Sequence, residues 1–588
     1  MHVPRRTKIL VCSLLTILLA SPSVYSSSLR TISVEGAEAF TPREILSWLA
    51  SKPSLPFSKE VLKADLVTVR DTYRTQGYLA ASVTVAEQKY TSDSAYVDLV
   101  LHISEGKQAI VGSVHVRGTT AIAEADLLAS FETRPGSPLD EQRLEQDIEA
   151  LIARFERAGY PLAVCTVADL DVRPSEAIDT LVVSLDVEQG NRVTIDEIQV
   201  RGTKETDQSV VTRETRLSPG ELYNPAKVQA IRQRLVRLNI FSSVAEPQLF
   251  LHGNKGGLLI DVREGSTNTF DGVVGYIPPT PEGREGYFTG LVSVAMRNLF
   301  GTGRKLSVRW QREDRYSQEL GFRYVEPWVF TQPVNIGFGF SQRQQDTSYV
   351  KRMVDLRAEL MLSEALSLSI VLGAENVIPS ADSTAARVAR STIRTIGAEL
   401  LYDTRDELYS PTGGARYRVD YHYGRKQGTA TSGILTVGST DFSRQRLGLD
   451  FETYLPTFTR QIVALSLHGR DVEGSNIDES EMYRFGGTNS LRGYRESQFL
   501  ASRLVWLNNE YRFLLGRRTF FFGFFDVAYS FRPADEVHHI QQTEVLRSGY
   551  GIGIRLDTAL GNLGVSFALG QGDSFSTGKV HIGLINEF

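Results

Sequence analysis

Three copies of one pattern fill the first half of the sequence. Each copy opens with a short alternating strand that ends in glycine, at Gly36, Gly118 and Gly202, so the copies lie 82 and 84 residues apart. Each then carries helical stretches with apolar residues at i, i+3 and i+4, followed by two more alternating segments. This order, β-α-α-β-β, predicts three compact α+β units in series, each a three-stranded sheet covered by two helices.

The main helix of the first two copies ends in a Gly-Tyr pair, Gly77-Tyr78 and Gly159-Tyr160. Glycine at this place predicts a residue in the left-handed conformation that closes the helix. The third copy has Ile240-Phe241 at the corresponding place. The third copy has therefore drifted from the first two.

The 322 residues from Thr267 onward have a different periodicity. Helical spacing disappears, and alternating segments separated by turns continue to the end, which predicts antiparallel strands. Seven short connections alternate with eight longer polar ones, as the inner turns and outer loops of bacterial barrels do. This alternation predicts a 16-stranded antiparallel transmembrane β-barrel, with strand one near Thr269–Tyr276 and strand sixteen at Lys579–Phe588. Composition alone would also allow roughly 14 or 18 strands.

Residues 1–26 have the layout of a secretory signal peptide. Basic residues precede an apolar run from Ile9 to Ala20, and small residues mark a cleavage point near Ser26. A run of roughly 12 apolar residues is too short to span about 30 Å as a helix. No later stretch reaches roughly 18 uninterrupted apolar residues, so a membrane form of this chain would have to cross the lipid with strands.

Several kinds of chemistry have no support in the sequence. A formal net charge of −5 gives no basic footprint, so a nucleic-acid partner is not expected. The stretch GDSFSTGKV at 572–580 resembles a phosphate loop but places Val580 where Ser or Thr is required. Zinc-protease and serine-hydrolase motifs are missing as well. The sequence therefore predicts no catalytic residues, no cofactor and no metal.

The stretch FGGTNSLRGY is too polar for a core strand and too rich in glycine for a helix. Its glycines permit positive φ, and its Asn and Ser favour local turns, which places one arginine at a tight turn. A guanidinium there can hold a carboxylate through two parallel hydrogen bonds. The candidate functional residues of this motif are Phe485, Gly486, Gly487, Asn489, Ser490, Leu491, Arg492, Gly493 and Tyr494.

This ten-residue string resembles loop six of the outer-membrane assembly superfamily that includes BamA, TamA and the two-partner secretion transporters. By this resemblance the repeated units look like POTRA domains. Three such domains before a 16-stranded barrel are most similar in layout to TamA. The implied domains are a signal peptide at 1–26, POTRA domains at 27–106, 107–190 and 191–266, and the barrel at 267–588.

The resemblance also implies where the loop docks. The family pattern F-x-D-x-G is matched by Phe524 and Asp526, whereas Ala528 replaces the final glycine. Asp526 is the only charge in an aromatic strand, so it should face the lumen rather than lipid. We expect Arg492 to form a bidentate ion pair with Asp526 that a hydrated lumen screens. Glu510 on the neighbouring strand is a second candidate partner.

The end of the chain resembles the C-terminal signal that outer-membrane proteins present to the assembly machinery. Val580, Ile582, Leu584 and Phe588 share one face of the last predicted strand, although Asn586 interrupts the apolar stripe. The resemblance implies that this signal directs the insertion of the protein itself.

Three connections also resemble turn motifs of the family: NLFGTGR from Asn298, Glu326-Pro327-Trp328, and Tyr402–Asp406. Their simplest role is structural. We expect them to shape turns and to contribute to the aromatic girdle at the membrane interface.

The resemblance implies an assembly or translocation factor in the outer membrane of a Gram-negative bacterium, with its POTRA domains in the periplasm. Unfolded or partly folded β clients would bind exposed sheet edges of the POTRA domains and leave through a seam between the first and last barrel strands. The implied partners are these clients, outer-membrane lipid and a TamB-like inner-membrane protein at the POTRA region. The alternative that stays open is a secretion pore that passes a soluble protein through its lumen.

Overall fold

The chain forms two compact units in the computed structural model. One runs to Val193 and includes Leu222–Pro225, and the other comprises Thr194–Glu221 and the chain from Ala226. None of the helices in the described residues is long and apolar enough to cross a membrane. The predicted signal peptide, Asn586 and Phe588 lie outside the described residues. The structure describes residues 27–585 except 120, 177, 253–254, 278–285, 380–387, 409, 433–434, 476, 537–538 and 559–560.

The first two repeats have the predicted order of elements. In each sheet the last strand of the repeat is central, parallel to the first strand and antiparallel to the second. The first repeat contains β1 (Ser28–Glu35), α1 (Pro42–Trp48), α2 (Lys59–Thr75), β2 (Ser82–Tyr90) and β3 (Tyr96–Ser104), and the second contains β4 (Gln108–Arg117), α3 (Glu124–Leu128), α4 (Glu141–Arg157), β5 (Val164–Arg173) and β6 (Ile178–Glu188).

The long helix of each of these repeats packs its apolar stripe on the sheet. Val69 and Tyr73 of α2 are fully buried in one core with Leu101 of β3. Phe155 of α4 is fully buried in the other core with Leu185 of β6. Each such side chain contributes about 1.5–3 kcal/mol on burial, so the apolar spacing seen in the sequence accounts for helix placement.

The third repeat has more and shorter strands than the first two repeats. Its elements are β7 (Thr194–Arg201), α5 (Gln208–Thr215), β8 (Glu221–Leu222), α6 (Pro225–Arg237), β9 (Phe241–Val244), β10 (Gln248–His252) and β11 (Lys255–Glu264). β11 is central, and both β9 and β10 pair with it in antiparallel fashion. Pro247 lies between β9 and β10 and has no N–H to donate to the ladder. The second strand of the repeat is therefore split in two.

The third helix keeps a left-handed cap, although the residue there is not glycine. After α6, Asn239 has φ 55°, in the place that Gly77 and Gly159 hold after α2 and α4 with φ 87° and 91°. Asparagine enters the left-handed region more readily than most other residues with a side chain. Asn239-Ile240, and not Ile240-Phe241, is the counterpart of the Gly-Tyr pair.

The glycine that follows the first strand of each repeat has a steric cause. Gly36, Gly118 and Gly202 all have positive φ, of 81°, 80° and 90°. A Cβ at these positions would lie 2.3, 2.5 and 1.7 Å from a carbonyl oxygen on the last strand of the same repeat. No side chain fits so close to a backbone, and this is why the repeat is visible in the sequence.

The second half forms an antiparallel sheet of 16 strands, as predicted, in which each strand pairs with the next. The hairpin of β23 and β24 lies apart from it, in the connection between β22 and β25. The strands are β12 (Asn268–Ile277), β13 (Tyr287–Leu299), β14 (Arg304–Arg312), β15 (Gln318–Glu326), β16 (Val334–Gln345), β17 (Tyr349–Met361), β18 (Leu366–Pro379), β19 (Ser391–Asp403), β20 (Gly414–Ser432), β21 (Leu435–Pro456), β22 (Gln461–Gly474), β23 (Tyr483–Phe485), β24 (Phe499–Ala501), β25 (Arg503–Leu514), β26 (Phe520–Arg532), β27 (Thr543–Thr558), β28 (Gly561–Gly570) and β29 (Lys579–Ile585).

The first and last strands of this barrel are β12 and β29. β12 pairs with β13 along its length, and β29 pairs with β28. Among the residues that the structure describes, none of the backbone pairs joins β12 to β29. Each of these two strands therefore has an edge without a described backbone partner.

β26 shows how the two faces of the barrel differ. Phe521 and Phe525 are 40% and 48% exposed on the outer face. The residues that alternate with these two along the strand point inward and are at most 6% exposed: Phe520, Phe522, Phe524, Asp526 and Ala528. Because side chains alternate along a strand, the aromatic residues of this segment serve both the lipid face and the lumen.

Candidate functional site

Arg492 belongs to loop six, residues 475–502 between β22 and β25, and its side chain contacts the inner wall of the barrel. Its Nε donates to Asp526 Oδ2 at 2.7 Å and its Nη2 donates to Oδ1 at 2.7 Å. The backbone N–H of Arg492 donates to the same carboxylate at 3.1 Å. This is the bidentate contact expected from the sequence, with a third hydrogen bond from the main chain.

Glu510 is a partner of the same guanidinium rather than an alternative to Asp526. Arg492 Nη1 donates to Glu510 Oε1 at 2.7 Å, and Arg512 Nε donates to Glu510 Oε2 at 2.9 Å.

The expectation that water screens the ion pair of Arg492 and Asp526 was wrong, because the Arg492 side chain is 8% exposed and Asp526 is 0% exposed. Removing one partner of such a buried pair costs about 3–5 kcal/mol.

An aromatic surface supports the guanidinium. The Arg492 Cζ lies 3.7 Å from the ring centroid of Phe524 and 5.8 Å from that of Phe522. Both rings precede Asp526 on the inward face of β26, so the strand presents a stacking surface and a carboxylate side by side. Arginine suits this place better than lysine, because its planar group can stack and donate two parallel bonds at once.

Ala528, which stands where the family pattern has glycine, is 1% exposed and packs against the loop. Its methyl group lies in an apolar cluster between loop six and the wall. The other buried members are Phe485, Leu491, Ala501, Leu504 and Trp506. The added methyl group therefore fills space against the loop instead of disrupting the contact.

Two glycines of β27 make room at the site, one for the loop and one for the ring on which Arg492 stacks, and the sequence analysis missed them. A Cβ on Gly549 would lie 1.9 Å from the carbonyl oxygen of Arg492. A Cβ on Gly551 would lie 2.0 Å from the carbonyl oxygen of Phe567 and 2.8 Å from the ring of Phe524. The signal was available as glycine at every second position of GYGIG. Glycine repeated on one face of a strand marks a place where another part of the chain comes close.

Gly493 and Tyr494 tie the loop to the last strands of the barrel. The N–H of Gly493 donates to His581 Nε2 at 3.1 Å. The hydroxyl of Tyr494 donates to the carbonyl of Ser548 at 3.1 Å and accepts from the N–H of Gln571 at 3.0 Å. Loop six therefore contacts β27, the end of β28 and β29 through neighbouring residues.

The first part of the motif forms the turn that presents Arg492. The N–H of Gly486 donates to Ser490 Oγ at 2.8 Å, and the N–H of Gly487 donates to the carbonyl of Leu491 at 3.0 Å. Asn508 on β25 donates to the carbonyl of Ser490 at 2.8 Å. Asn489 is exposed at the tip of this turn.

Loop six has a second anchor that the sequence analysis did not predict. We call Asp478–Glu481 the acidic segment. Glu481 contacts Lys426 and Arg444, and all three are at most 2% exposed. The segment also bonds to Lys426 from Asp478 (3.1 Å), to Lys351 from the carbonyl of Ser480 (2.9 Å) and to Arg532 from Glu479 (2.8 Å). These cations come from β20, β21, β17 and β26, so the acidic segment reaches widely separated walls.

The predicted C-terminal signal falls partly on described residues. Val580 and Ile582 are 62% and 61% exposed on the outer face of β29, while His581 between them is 7% exposed. Leu584 is also part of β29, and Phe588 lies outside the described residues. The role of these residues as a signal stays a prediction.

The turn motifs have a role beyond the one expected, because all three hold the third repeat. In Tyr402–Asp406 the carbonyl of Asp403 accepts from Arg237 Nη2 at 2.9 Å. Asn298 Nδ2 donates to Thr206 Oγ1 at 2.9 Å, and the carbonyl of Gly301 accepts from the N–H of Asp207 at 2.9 Å. The indole N–H of Trp328 donates to Glu214 at 2.7 Å. These contacts join the third repeat to the inner turns of the barrel.

Arg234 of α6 also joins the third repeat to an inner turn of the barrel. Its Nε and Nη2 donate to Glu364 at 2.8 and 2.9 Å, and its Nη1 donates to the last carbonyls of α5. Burial opposes ionisation of Glu364, yet hydrogen bonds from Arg234 hold its pKa below the ordinary value. By contrast, burial raises the pKa of Glu214, and the bond from Trp328 offsets this only in part.

The fold and the docked loop define a β-barrel protein with three α+β repeats before the barrel and a loop fixed against the inner wall. The Omp85 superfamily domain matches residues 298–584, and the POTRA family, described as a surface antigen variable number repeat, matches 28–106, 109–190 and 193–265. The chain therefore belongs to the Omp85 superfamily. Its barrel lies in the outer membrane and its POTRA repeats lie in the periplasm.

The chain is similar to outer membrane protein assembly factors called BamA. It is 24% identical over 343 residues to the protein of Neisseria meningitidis, covering 55% of this chain and 41% of that one. It is 23% identical over 576 residues to the protein of Neorickettsia risticii, covering 90% and 73%. BamA from Haemophilus ducreyi lacking POTRA domains 1–3 matches in structure with a TM-score of 0.47 and 15% identity, over 79% of this chain and 97% of that one. The chain spans less than half the length of the Neisseria protein.

Proposed function

We propose that this protein assembles or translocates β-rich outer-membrane clients, with TamA as the family member most similar in layout. The observation that carries the proposal is the pair of edges on β12 and β29 for which the described residues give no backbone partner. A client strand that pairs with such an edge keeps its polar backbone satisfied as it enters lipid. The proposed route is lateral, through the seam between β12 and β29.

The second repeat supports the delivery of extended clients to this seam. β5 is an edge strand, because β6 pairs with it on one side only. Its apolar side chains Val164, Val167, Leu170 and Val172 are 51%, 44%, 44% and 50% exposed. Native sheets normally protect such edges, and an extended peptide can add to one through main-chain hydrogen bonds. β5 is the receiving edge that we propose for unfolded or partly folded clients.

The proposal includes a TamB-like inner-membrane partner at the POTRA region. The layout of three repeats before the barrel supports it, because that layout is shared with TamA. The first repeat offers a further edge strand, β2, which ends in the half-exposed Tyr90. Outer-membrane lipid contacts the outer face of the barrel.

Loop six favours the seam over the lumen as the route. It is bound to the inner wall at Asp526 and is fixed again by the acidic segment. A soluble protein that passes through the lumen would have to break both sets of buried ion pairs. The secretion-pore alternative therefore requires a large rearrangement that the lateral route does not.

Joining β12 to β29 with engineered cysteines is expected to stop client insertion. A disulfide holds the two edges together, so no client strand can pair with either. One cysteine is placed within Asn268–Ile277 and one within Lys579–Ile585, in a Cys165→Ser background that removes the native thiol of the periplasmic repeats. Insertion of a radiolabelled barrel client is measured in reconstituted vesicles before and after reduction.

The control pair is Val294→Cys with Val308→Cys, which lie opposite each other on β13 and β14. A bridge there joins strands that are already paired and leaves the seam free, so insertion should continue. Insertion that proceeds at the same rate with the seam cross-linked contradicts the lateral route.

Depletion of the protein separates the two functions. If it assembles barrels, we expect several outer-membrane barrel proteins to fall together, because a backbone edge accepts many sequences. The measurement is quantitative mass spectrometry of outer-membrane and secreted fractions. Loss of one secreted soluble protein, with unchanged barrel proteins, supports the secretion pore instead.

A further inference from the structure

A cavity of about 240 Å³ lies in the lumen between loop six and the inner turn at Leu408–Pro411. Loop six contributes Thr488, Asn489 and Arg492 to its wall, and the rest comes mainly from inward-facing positions of β21, β22 and β25–β29. The wall is polar and charged, unlike the apolar cavities that stay dry. A space of this size can hold a small ligand group together with water.

The charges around this cavity do not balance. Four guanidinium groups line it, and three of them have carboxylate partners. Arg405 pairs with Asp403, and Arg492 pairs with Asp526 and shares Glu510 with Arg512. Glu452, the other carboxylate of the wall, already lies near Arg405 and Arg416. The fourth guanidinium belongs to Arg555.

Arg555 makes no hydrogen bond or salt bridge with any described residue, although Glu510, which Arg492 and Arg512 already share, attracts it electrostatically. Its Cζ lies 5.0 Å from the ring centroid of Phe520, and Arg512 Cζ lies 4.8 Å from the same ring. Arg512 is itself 6% exposed, and its Nη1 is buried without a hydrogen-bond partner. Two adjacent guanidinium groups at one wall of the cavity therefore have donors that the chain does not satisfy.

The two histidines of the wall do not change this balance. His581 Nε2 accepts the N–H of Gly493, so that nitrogen carries no proton in this arrangement. His468 is bonded to Asp450 at 2.7 Å. Neither histidine offers a carboxylate-like partner to Arg555. Among the described residues this leaves an excess of one positive charge, because Arg405, Arg416, Arg492, Arg512 and Arg555 face the carboxylates of Asp403, Glu452, Glu510 and Asp526.

We infer that the cavity is a binding site for a single carboxylate group, held by Arg555 with Arg512 beside it. A planar guanidinium matches a carboxylate through two parallel hydrogen bonds, and one negative charge matches the one uncompensated cation. Two sources can supply the group. One is a small free carboxylate in the periplasm, and the other is the C-terminal carboxylate of a client strand. Only the second source depends on the proposed function.

The test uses two probes and the full-length protein in lipid vesicles. One probe is sodium acetate. The other is a fluorescent peptide with the sequence KVHIGLINEF, which copies the end of this chain, made with a free C-terminal carboxylate and with an amide. Binding is measured by fluorescence anisotropy for the wild type, Arg555→Gln and Arg555→Lys. Thermal melting with and without acetate shows that each variant folds.

We expect the acid peptide to bind the wild type at least tenfold more tightly than the amide, and acetate to compete with it. Arg555→Gln should remove this difference, and Arg555→Lys should retain part of it because the charge remains. Arg309→Gln, which removes an exposed arginine of β14 that bonds to Gln311, is the matched control and should bind as the wild type does.

The outcomes separate the two sources. Stabilisation of the wild type by acetate that is lost in Arg555→Gln, with no difference between the two peptides, supports the site and assigns it to a free carboxylate. A difference between the peptides that depends on Arg555 assigns it to the client. If neither acetate nor the peptide acid distinguishes the wild type from a folded Arg555→Gln, the site does not exist. The seam can operate in any of these cases, so failure here leaves the lateral route to its own test.

Discussion

Replacing Arg492 by alanine is expected to release loop six from the barrel wall. The substitution leaves Asp526, which is 0% exposed, without its two hydrogen bonds from the guanidinium, and it removes the stacking on Phe524. Breaking a buried ion pair in this way costs about 3–5 kcal/mol. Since 1.4 kcal/mol is tenfold, the open population of the loop should rise roughly a hundredfold or more. The rate at which a protease cuts loop six in reconstituted protein measures this population, and client insertion should fall with it.

A double-mutant cycle shows whether Arg492 and Asp526 act as a pair. Asp526→Ala alone should have the smaller effect, because Arg492 retains Glu510 at 2.7 Å. The double variant should be little worse than Arg492→Ala, since the contact is lost already. Arg495→Ala, an exposed arginine of the same loop, is the matched control and should leave cleavage unchanged. Additive effects of the two substitutions would show that the residues do not stabilise the loop through each other.

The family resemblance implied this contact, and strict strand periodicity predicted that the carboxylate faces the lumen. Phe524, Asp526 and Ala528 share a face by alternation, and a lone carboxylate in an aromatic strand cannot face lipid cheaply. The three repeats were predictable for a related reason. Glycine is forced wherever a strand end approaches a backbone, as at Gly202, and such positions recur at the repeat length.

What could not be predicted depends on contacts between distant parts of the chain. Glu510 was a candidate partner, but whether it would share the guanidinium with Asp526 depends on the register of β25 and β26, which places it opposite Phe524. Periodicity within one strand does not fix that register. The burial of the ion pair between Arg492 and Asp526 was underestimated, because it depends on how loop six packs over these two side chains. The turn motifs were taken as local structure, whereas Trp328 contacts Glu214, 114 residues away.

The acidic segment was missed for the same reason, and it leads to the second large effect. Glu481→Ala is expected to open the outer mouth of the barrel to ions. The Glu481 side chain lies between Lys426 and Arg444, each 1% exposed, and its loss leaves these buried cations without the carboxylate they share. An uncompensated buried charge costs about 3–5 kcal/mol, so the acidic segment should leave its place. Single-channel conductance in planar lipid bilayers should increase severalfold.

Two further variants identify the cause of such an increase. Glu481→Gln keeps the shape of the side chain and removes its charge, so a conductance as high as that of Glu481→Ala would assign the closure to the ion pairs and not to packing. Glu473→Ala removes an exposed carboxylate of β22 that pairs with Arg503 at 3.0 Å, and it should conduct as the wild type does because surface pairs contribute little. Heat-modifiable migration in gels checks that each barrel is folded. Folded Glu481 variants with unchanged conductance would mean that Arg492 alone holds loop six across the lumen, and the loop would then have one anchor and not two.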